Sequence, residues 1–109
     1  MDTQTSALHE VRLDHVLSLL VDSGARSVLD LGCGSGALLQ RCLESQRFER
    51  LVGLESSGVS LRNARERLAD WLGEPDPAVR LLRGSFQEPN PACTGFDAAA
   101  MVEVIEHVA

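Results

Sequence analysis

The sequence is short of basic charge. Ten Lys and Arg residues stand against sixteen Asp and Glu, for a formal net charge of −6 at pH 7. Broad electrostatic adhesion to a nucleic-acid backbone needs clustered cations, so it is excluded, and any contact with nucleic acid must be local. Cysteine is sparse as well: Cys33, Cys42 and Cys93 are odd in number and show no C-x-x-C spacing. That pattern speaks against a disulfide framework and a cysteine zinc site, and it fits a reducing, cytoplasmic setting. Long hydrophobic runs are missing too. The amino terminus carries acidic Asp2 in place of a basic leader, and Leu17–Val21 is too short for a signal core or a membrane span, so no membrane partner is expected.

What is present has the composition of one globular core, with 44% hydrophobic and 24% charged residues in a chain of 109. From about Ala7 to Asp22, the residues Leu13, Val16, Leu17 and Leu20 recur at the spacing that puts them on one helical face, and Gly24 ends the segment. His9 and His15 lie in this helix without a carboxylate or cysteine cluster and are read as surface or packing residues. Ser27–Leu31 reads as a strand, and Ala37 to about Ser45 as a helix with Leu38, Leu39, Cys42 and Leu43 facing inward. The pattern then repeats. Leu51–Leu54 is a second strand ending at Glu55, and Ser56 or Ser57 caps a helix expected from about Val59 to Leu72. Its inward stripe is Leu61, Ala64, Leu68 and Leu72, with Arg62, Arg65, Glu66 and Arg67 on a solvated face and Trp71 as a packing residue.

Val79–Leu82 reads as a third, edge-like strand, and Pro89 and Pro91 keep the segment from Gln87 to Gly95 out of a sheet. Phe96–Val102 reads as a fourth, buried strand. The order strand, helix, strand, helix, strand, loop, strand predicts the α/β class and a doubly wound parallel sheet with right-handed crossovers. We expect a single, partial domain over 1–109, with a leading helix over 7–24 and a βαβαββ portion over 26–109. The helix that would cover the fourth strand has few residues left to form it, so the chain is expected to be the amino-terminal part of a larger domain.

The chemistry begins at the break between the first strand and its helix. Gly32-x-Gly34-x-x-Ala37 satisfies a loose dinucleotide fingerprint, in which small residues let the backbone approach a pyrophosphate. Asp30 argues against that ligand, because a carboxylate there repels an anion and attracts a cationic amino group. The fuller pattern Asp30-Leu-Gly32-Cys-Gly34-Ser-Gly36 resembles the cofactor loop of class I S-adenosylmethionine-dependent methyltransferases, which have a Rossmann-like fold. Glu55, with Ser56 beside it, ends the second strand, where an acceptor pair can hold both ribose hydroxyls. Ser85, in Gly84-Ser85-Phe86 after the third strand, is placed by the same resemblance against the adenine, although it could equally start a turn. Cys33 has no evident base and reads as a small residue tolerated in the turn.

The end of the chain carries a second cluster. Glu103, Glu106 and His107 stand at i, i+3 and i+4, so in a helix they would share its first turn. Two carboxylates and an imidazole suit manganese, magnesium or zinc, while acids in a first turn also suit the helix dipole. The run from Phe96 to His107, together with Gly84-Ser85 and Leu29-Asp-Leu-Gly-Cys-Gly34, resembles the metal-dependent methyltransferases that place a 2′-O-methyl group on the 3′-terminal nucleotide of small RNAs. That family includes bacterial members acting in RNA repair. The resemblance runs from about Arg12 to the last residue.

The resemblance implies S-adenosylmethionine as cofactor and Glu103, Glu106 and His107 as ligands of a divalent ion, manganese first and magnesium second. It implies an RNA 3′ end as substrate, and it raises a protein partner from an RNA-repair or small-RNA pathway. His107 would also assist deprotonation of the ribose hydroxyl. The family's further histidine ligand and its later strands have no counterpart in these residues. Two other readings stand beside this one. One is a metal-independent class I methyltransferase on another substrate, and the other is a non-catalytic cofactor-binding fragment.

Overall fold

The computed structural model describes residues 3–85 and 87–102, and it contains four strands and four α-helices among them. Helix α1 (Thr3–Asp22) begins about one turn before Ala7, where the expected segment starts. Leu13 and Leu20 are buried, with Val16 and Leu17 packed beside them, and Gly24 reverses the chain at φ 77°. His15 is exposed and His9 half-buried, in keeping with surface and packing roles.

Strand β1 (Ser27–Leu31) and helix α2 (Ala37–Ser45) lie where periodicity put them, and Ala37, Leu38, Leu39, Cys42 and Leu43 are the buried residues of α2. Strand β2 (Arg50–Glu55) leads to helix α3 (Gly58–Arg67), whose cap is Ser57: its hydroxyl accepts the amide of Ser60 at 3.3 Å. The single helix expected over 59–72 is broken. Leu68 leaves helical geometry at φ −101°, ψ 14°, and a short helix α4 (Ala69–Leu72) restarts beyond it. The break falls on the residue packed against Gly36, where tertiary contact overrides local propensity.

Strand β3 (Val79–Arg83) and strand β4 (Ala98–Ala100) complete a parallel sheet in the order β3-β2-β1-β4. Two successive right-handed crossovers, β1 to β2 and β2 to β3, step in one direction and so place α2 and α3 on the same face. The chain then steps back past β2 and β1 to reach β4, through a loop whose regular part is a 3-10 turn at Pro91–Cys93. The direction of winding therefore reverses between β1 and β4.

The fourth strand is shorter and less buried than its apolar sequence implied. Ala99 is exposed and Ala98 half-buried, and within the described residues β4 pairs with β1 alone. The residues ahead of it are engaged elsewhere. The Phe96 ring lies under the Arg50 guanidinium at 4.2 Å. Asp97 donates its amide to Ser27 Oγ at 2.9 Å, and its carboxylate accepts the amides of Arg26 and Ser27 at 2.9 and 3.2 Å. No described helix is long and apolar enough to cross a membrane.

Candidate active site

In an open parallel sheet, the carboxyl ends of the strands beside a reversal in winding form a crevice that nothing in the sheet fills. Here that crevice opens beyond Leu31 and Ala100, and the glycine turn lies at its mouth. Gly32, Gly34 and Gly36 have φ of 70°, 57° and 84°, a left-handed run closed to most side chains. The turn folds across the end of the neighbouring strand: the amides of Gly32 and Cys33 both donate to the Leu54 carbonyl, at 2.7 and 3.0 Å. Gly36 starts α2 without a side-chain cap, and a Cβ there would come within 3.3 Å of both Ala64 and Leu68. Small residues thus let α3 approach the turn and leave backbone at the rim.

Glu55 lies at the centre of this edge. Its Oε1 accepts the amide of Gly34 at 2.8 Å, and its Oε2 accepts the amide of Ser57 at 2.8 Å. Its carbonyl accepts the amide of Gly84 at 3.1 Å, so loops after three strands converge on one residue. Ser56 beside it is exposed. Ser85 is half-buried and starts a turn: its hydroxyl accepts the Gln87 amide at 3.2 Å and its carbonyl the Glu88 amide at 3.1 Å.

Asp30 is wholly buried, one step below the rim. In register it lies between Gly53 and Ala100, two residues with little or no side chain. Its row faces α2, and its charge, after burial itself, helps push the Cys42 thiol up to about 12. Cys33 is buried inside the turn, as a small packing residue would be. The structure therefore brings Gly32, Gly34, Gly36, Glu55, Ser56 and Ser85 to one edge, with Asp30 beneath it. Glu103, Glu106 and His107 lie outside the described residues, and within those residues no group of three His, Cys, Asp or Glu side chains could hold a metal. A cleft of about 400 Å³ opens instead near the amino ends of β2 and β3, lined by Arg50, Val52, Pro77, Arg80, Leu82 and Ala92. It contains none of the glycine-turn residues, and the convergence of backbone donors and a carboxylate favours the carboxyl edge.

Sequence reasoning passed over two features of this framework. Nothing in the motif signals that Glu55 binds the turn itself, and Asp97 gave no sign of clamping β4 to the start of β1. Both are contacts between residues far apart in the chain, 21 residues for Glu55 with Gly34 and 70 for Asp97 with Ser27.

A glycine-rich turn tied to a carboxylate at the end of β2 is a general nucleotide-binding arrangement, and comparison with known proteins narrows it. A family model described as "Methyltransferase domain" matches residues 29–109. The chain belongs to the methyltransferase-domain family. Among solved structures, the methyltransferase domain of the bacterial protein CtHen1 is 37% identical, with a TM-score of 0.81 over 90% of this chain and 51% of that one. Mouse small RNA 2′-O-methyltransferase is 32% identical over 107 residues, covering 93% of this chain and 27% of the mouse protein. An amino pentose methyltransferase from Micromonospora echinaspora, solved with S-adenosylmethionine bound, is 27% identical with a TM-score of 0.63 over 91% of this chain and 41% of that one. This methyltransferase domain thus has the Rossmann-like α/β fold of the family, and it spans about a quarter of the mouse relative and half of the bacterial domain.

The residues at the carboxyl edge fit an S-adenosyl cofactor on their own chemistry. The left-handed glycines offer backbone where a side chain would obstruct a ligand, and the half-buried Glu55 offers an acceptor-only group toward hydroxyls.

Proposed function

We propose that this domain binds S-adenosylmethionine at the carboxyl edge of its sheet and belongs to an enzyme that methylates the 2′-hydroxyl of the 3′-terminal nucleotide of RNA. The observation that carries the cofactor assignment is the tie of Gly34 to Glu55, which joins the glycine turn to the acceptor for a ribose. The RNA assignment is supported by likeness to small RNA 2′-O-methyltransferases across nearly the whole chain. In this reading Gly32, Gly34 and Gly36 shape the site, Glu55 and Ser56 face the ribose, Ser85 flanks the adenine and buried Asp30 biases the edge toward a cationic amino group. The cofactor supplies a methyl group on a sulfonium, activated for transfer to oxygen.

The same reading gives Glu103, Glu106 and His107 the role of holding a divalent ion, manganese or magnesium. Such an ion lowers the pKa of a ribose hydroxyl. In this reading His107 also assists deprotonation of that hydroxyl. RNA is distinguished from DNA by the 2′-hydroxyl, so the 3′-terminal ribose is the part of the substrate the site must test.

Labelled methyl transfer to RNA 3′ ends by a form of the protein that includes this domain tests the assignment. Ends carrying a free 2′-hydroxyl are modified, while 2′-deoxy and 2′-O-methyl ends are not. Chelation, Glu103→Ala and Glu106→Ala each abolish transfer. Equal modification of 2′-deoxy ends overturns the RNA assignment, and survival of activity through chelation and both substitutions overturns the metal assignment. The likeness to an amino pentose methyltransferase favours a sugar or small-molecule acceptor as the second reading, and such an acceptor would be methylated without added metal.

A further inference from the structure

The carboxyl edge is cross-tied by one side chain, Glu55, which accepts the amides of Gly34 and Ser57. We infer that Glu55 is a positioning residue that sets the glycine turn before the cofactor arrives, and that it does so by its length as well as its charge. The inference deepens the reading of this edge as the cofactor site and rests on it.

Within the turn, the amide of Gly36 donates to the Cys33 carbonyl at 3.0 Å, and the ties to Leu54 and Glu55 come from the neighbouring strand. Three left-handed glycines lose more conformational freedom on ordering than any other residues would, and Gly36 brings no side chain to cap α2. Two of its amides share a single carbonyl, that of Leu54. The amide of Gly34 is instead held by a carboxylate from the next strand, a charge-assisted bond at 2.8 Å. The other oxygen of that carboxylate holds Ser57, at the cap of α3. One side chain therefore links the start of α2 to the start of α3 across two strands.

The two bonds make different demands on the side chain. Ser57 is two residues beyond Glu55, and an aspartate readily makes that short-range bond. Gly34 belongs to the loop of the neighbouring strand, about 4.8 Å away in the sheet. Reaching both at once takes the extra methylene of glutamate. A carboxylate has roughly four acceptor positions, so after two backbone bonds about one remains on each oxygen for a ribose hydroxyl. Positioning the turn and accepting a ribose are thus compatible in one residue, and the ribose would bind a group whose other contacts already hold the turn in place.

Amide hydrogen exchange on a ligand-free form of the protein that includes this domain separates the two bonds. In Glu55→Asp, exchange at Gly34 is expected to accelerate about tenfold or more while Ser57 stays within about twofold, as loss of one hydrogen bond implies. In Glu55→Ala both amides accelerate. The amide of Leu51, which donates to the Ala78 carbonyl, keeps its protection if the sheet is intact. Unchanged exchange at Gly34 in both variants overturns the inference. Should Glu55→Ala lose Leu51 protection, the conservative Glu55→Asp decides alone.

Ligand affinity supplies the second readout. Glu55→Asp shortens the ribose acceptor for both ligands alike, so S-adenosylhomocysteine, which also needs the turn, should weaken several-fold more than adenosine. Equal weakening of the two ligands overturns the positioning role. If the unsubstituted chain binds neither ligand, the cofactor reading itself fails, while the exchange comparison still decides whether Glu55 holds the turn.

Discussion

At the scale of single residues, the core beneath the site is set by close approach. Gly53 occupies the middle of β2, and a Cβ there would stand 2.6 Å from Leu39 Cδ1, 2.9 Å from Cys33 Sγ and 3.0 Å from Leu81 Cδ2. This glycine has no need of unusual dihedrals; what it supplies is the room for α2 to pack on the sheet directly under the turn. Gly53→Ala should lower stability by about 1–3 kcal/mol, the usual penalty for overpacking, as measured by urea unfolding. An unchanged midpoint would mean that Leu39 moves aside freely. Cys42 nearby illustrates the electrostatic side of the same burial. Desolvation first, and the Asp30 carboxylate second, push its thiol from 9.0 up to about 12. Because the folded value is raised, its contribution to stability is complete below pH 9 and is lost as pH climbs toward 12. A thiol-labelling reagent at neutral pH should modify half-buried Cys93 and spare Cys33 and Cys42; labelling of Cys42 at the rate of Cys93 would contradict its placement.

At the scale of elements, the sheet is closed by a clamp between the two strands that flank the reversal in winding. Asp97 and Ser27 exchange bonds in both directions, and Arg26 adds its amide. The backbone donors of Arg26 and Ser27 hold the Asp97 carboxyl below its ordinary 3.8. A lowered folded value means the stabilisation is present above the ordinary value and fades as pH falls through the folded one. Asp97→Ala should therefore lower the urea midpoint at pH 7, and the gap between variant and parent should close as pH drops below about 4. A gap that stays constant well below about pH 4 would show that the carboxylate contributes nothing beyond its shape. The break between α3 and α4 is a second event at this scale. An uninterrupted stripe of Leu61, Ala64, Leu68 and Leu72 reads as one helix, but Leu68 packs at Gly36 and the helix yields.

At the scale of the molecule, the winding order β3-β2-β1-β4 creates the crevice, and the proposed site residues among those described lie at its rim or just below it. A ligand that binds only the folded state stabilises it by mass action. S-adenosylhomocysteine at a hundred times its Kd should add about 2.7 kcal/mol. For a domain near 100 residues that is a rise in Tm of about 10–20 °C. NAD at the same concentration should leave Tm unchanged, because in the proposed reading the Asp30 carboxylate disfavours a pyrophosphate at the glycine turn. A comparable rise with NAD would reverse the choice of cofactor.

The sequence by itself determined the elements whose burial repeats locally. The stripes of α1 and α2, the bounds of β1 and a serine cap at Ser56 or Ser57 follow from spacing and from single side chains, and a pattern of 3.6 or 2 residues is complete within a few turns of chain. It also suggested the candidate inventory of the carboxyl edge, since alternating glycines after a strand and an acid at the end of the next are the pattern of a nucleotide-like site. Tertiary structure alone decided how that inventory is assembled: Glu55 as the brace of Gly34 and Ser57, Gly53 as the gap for Leu39, Leu68 as the point where a helix breaks, and Asp97 as the clamp that leaves β4 three residues long. Each of these joins residues distant in sequence. No local period encodes such contacts, because their geometry exists only after the strands have been set side by side.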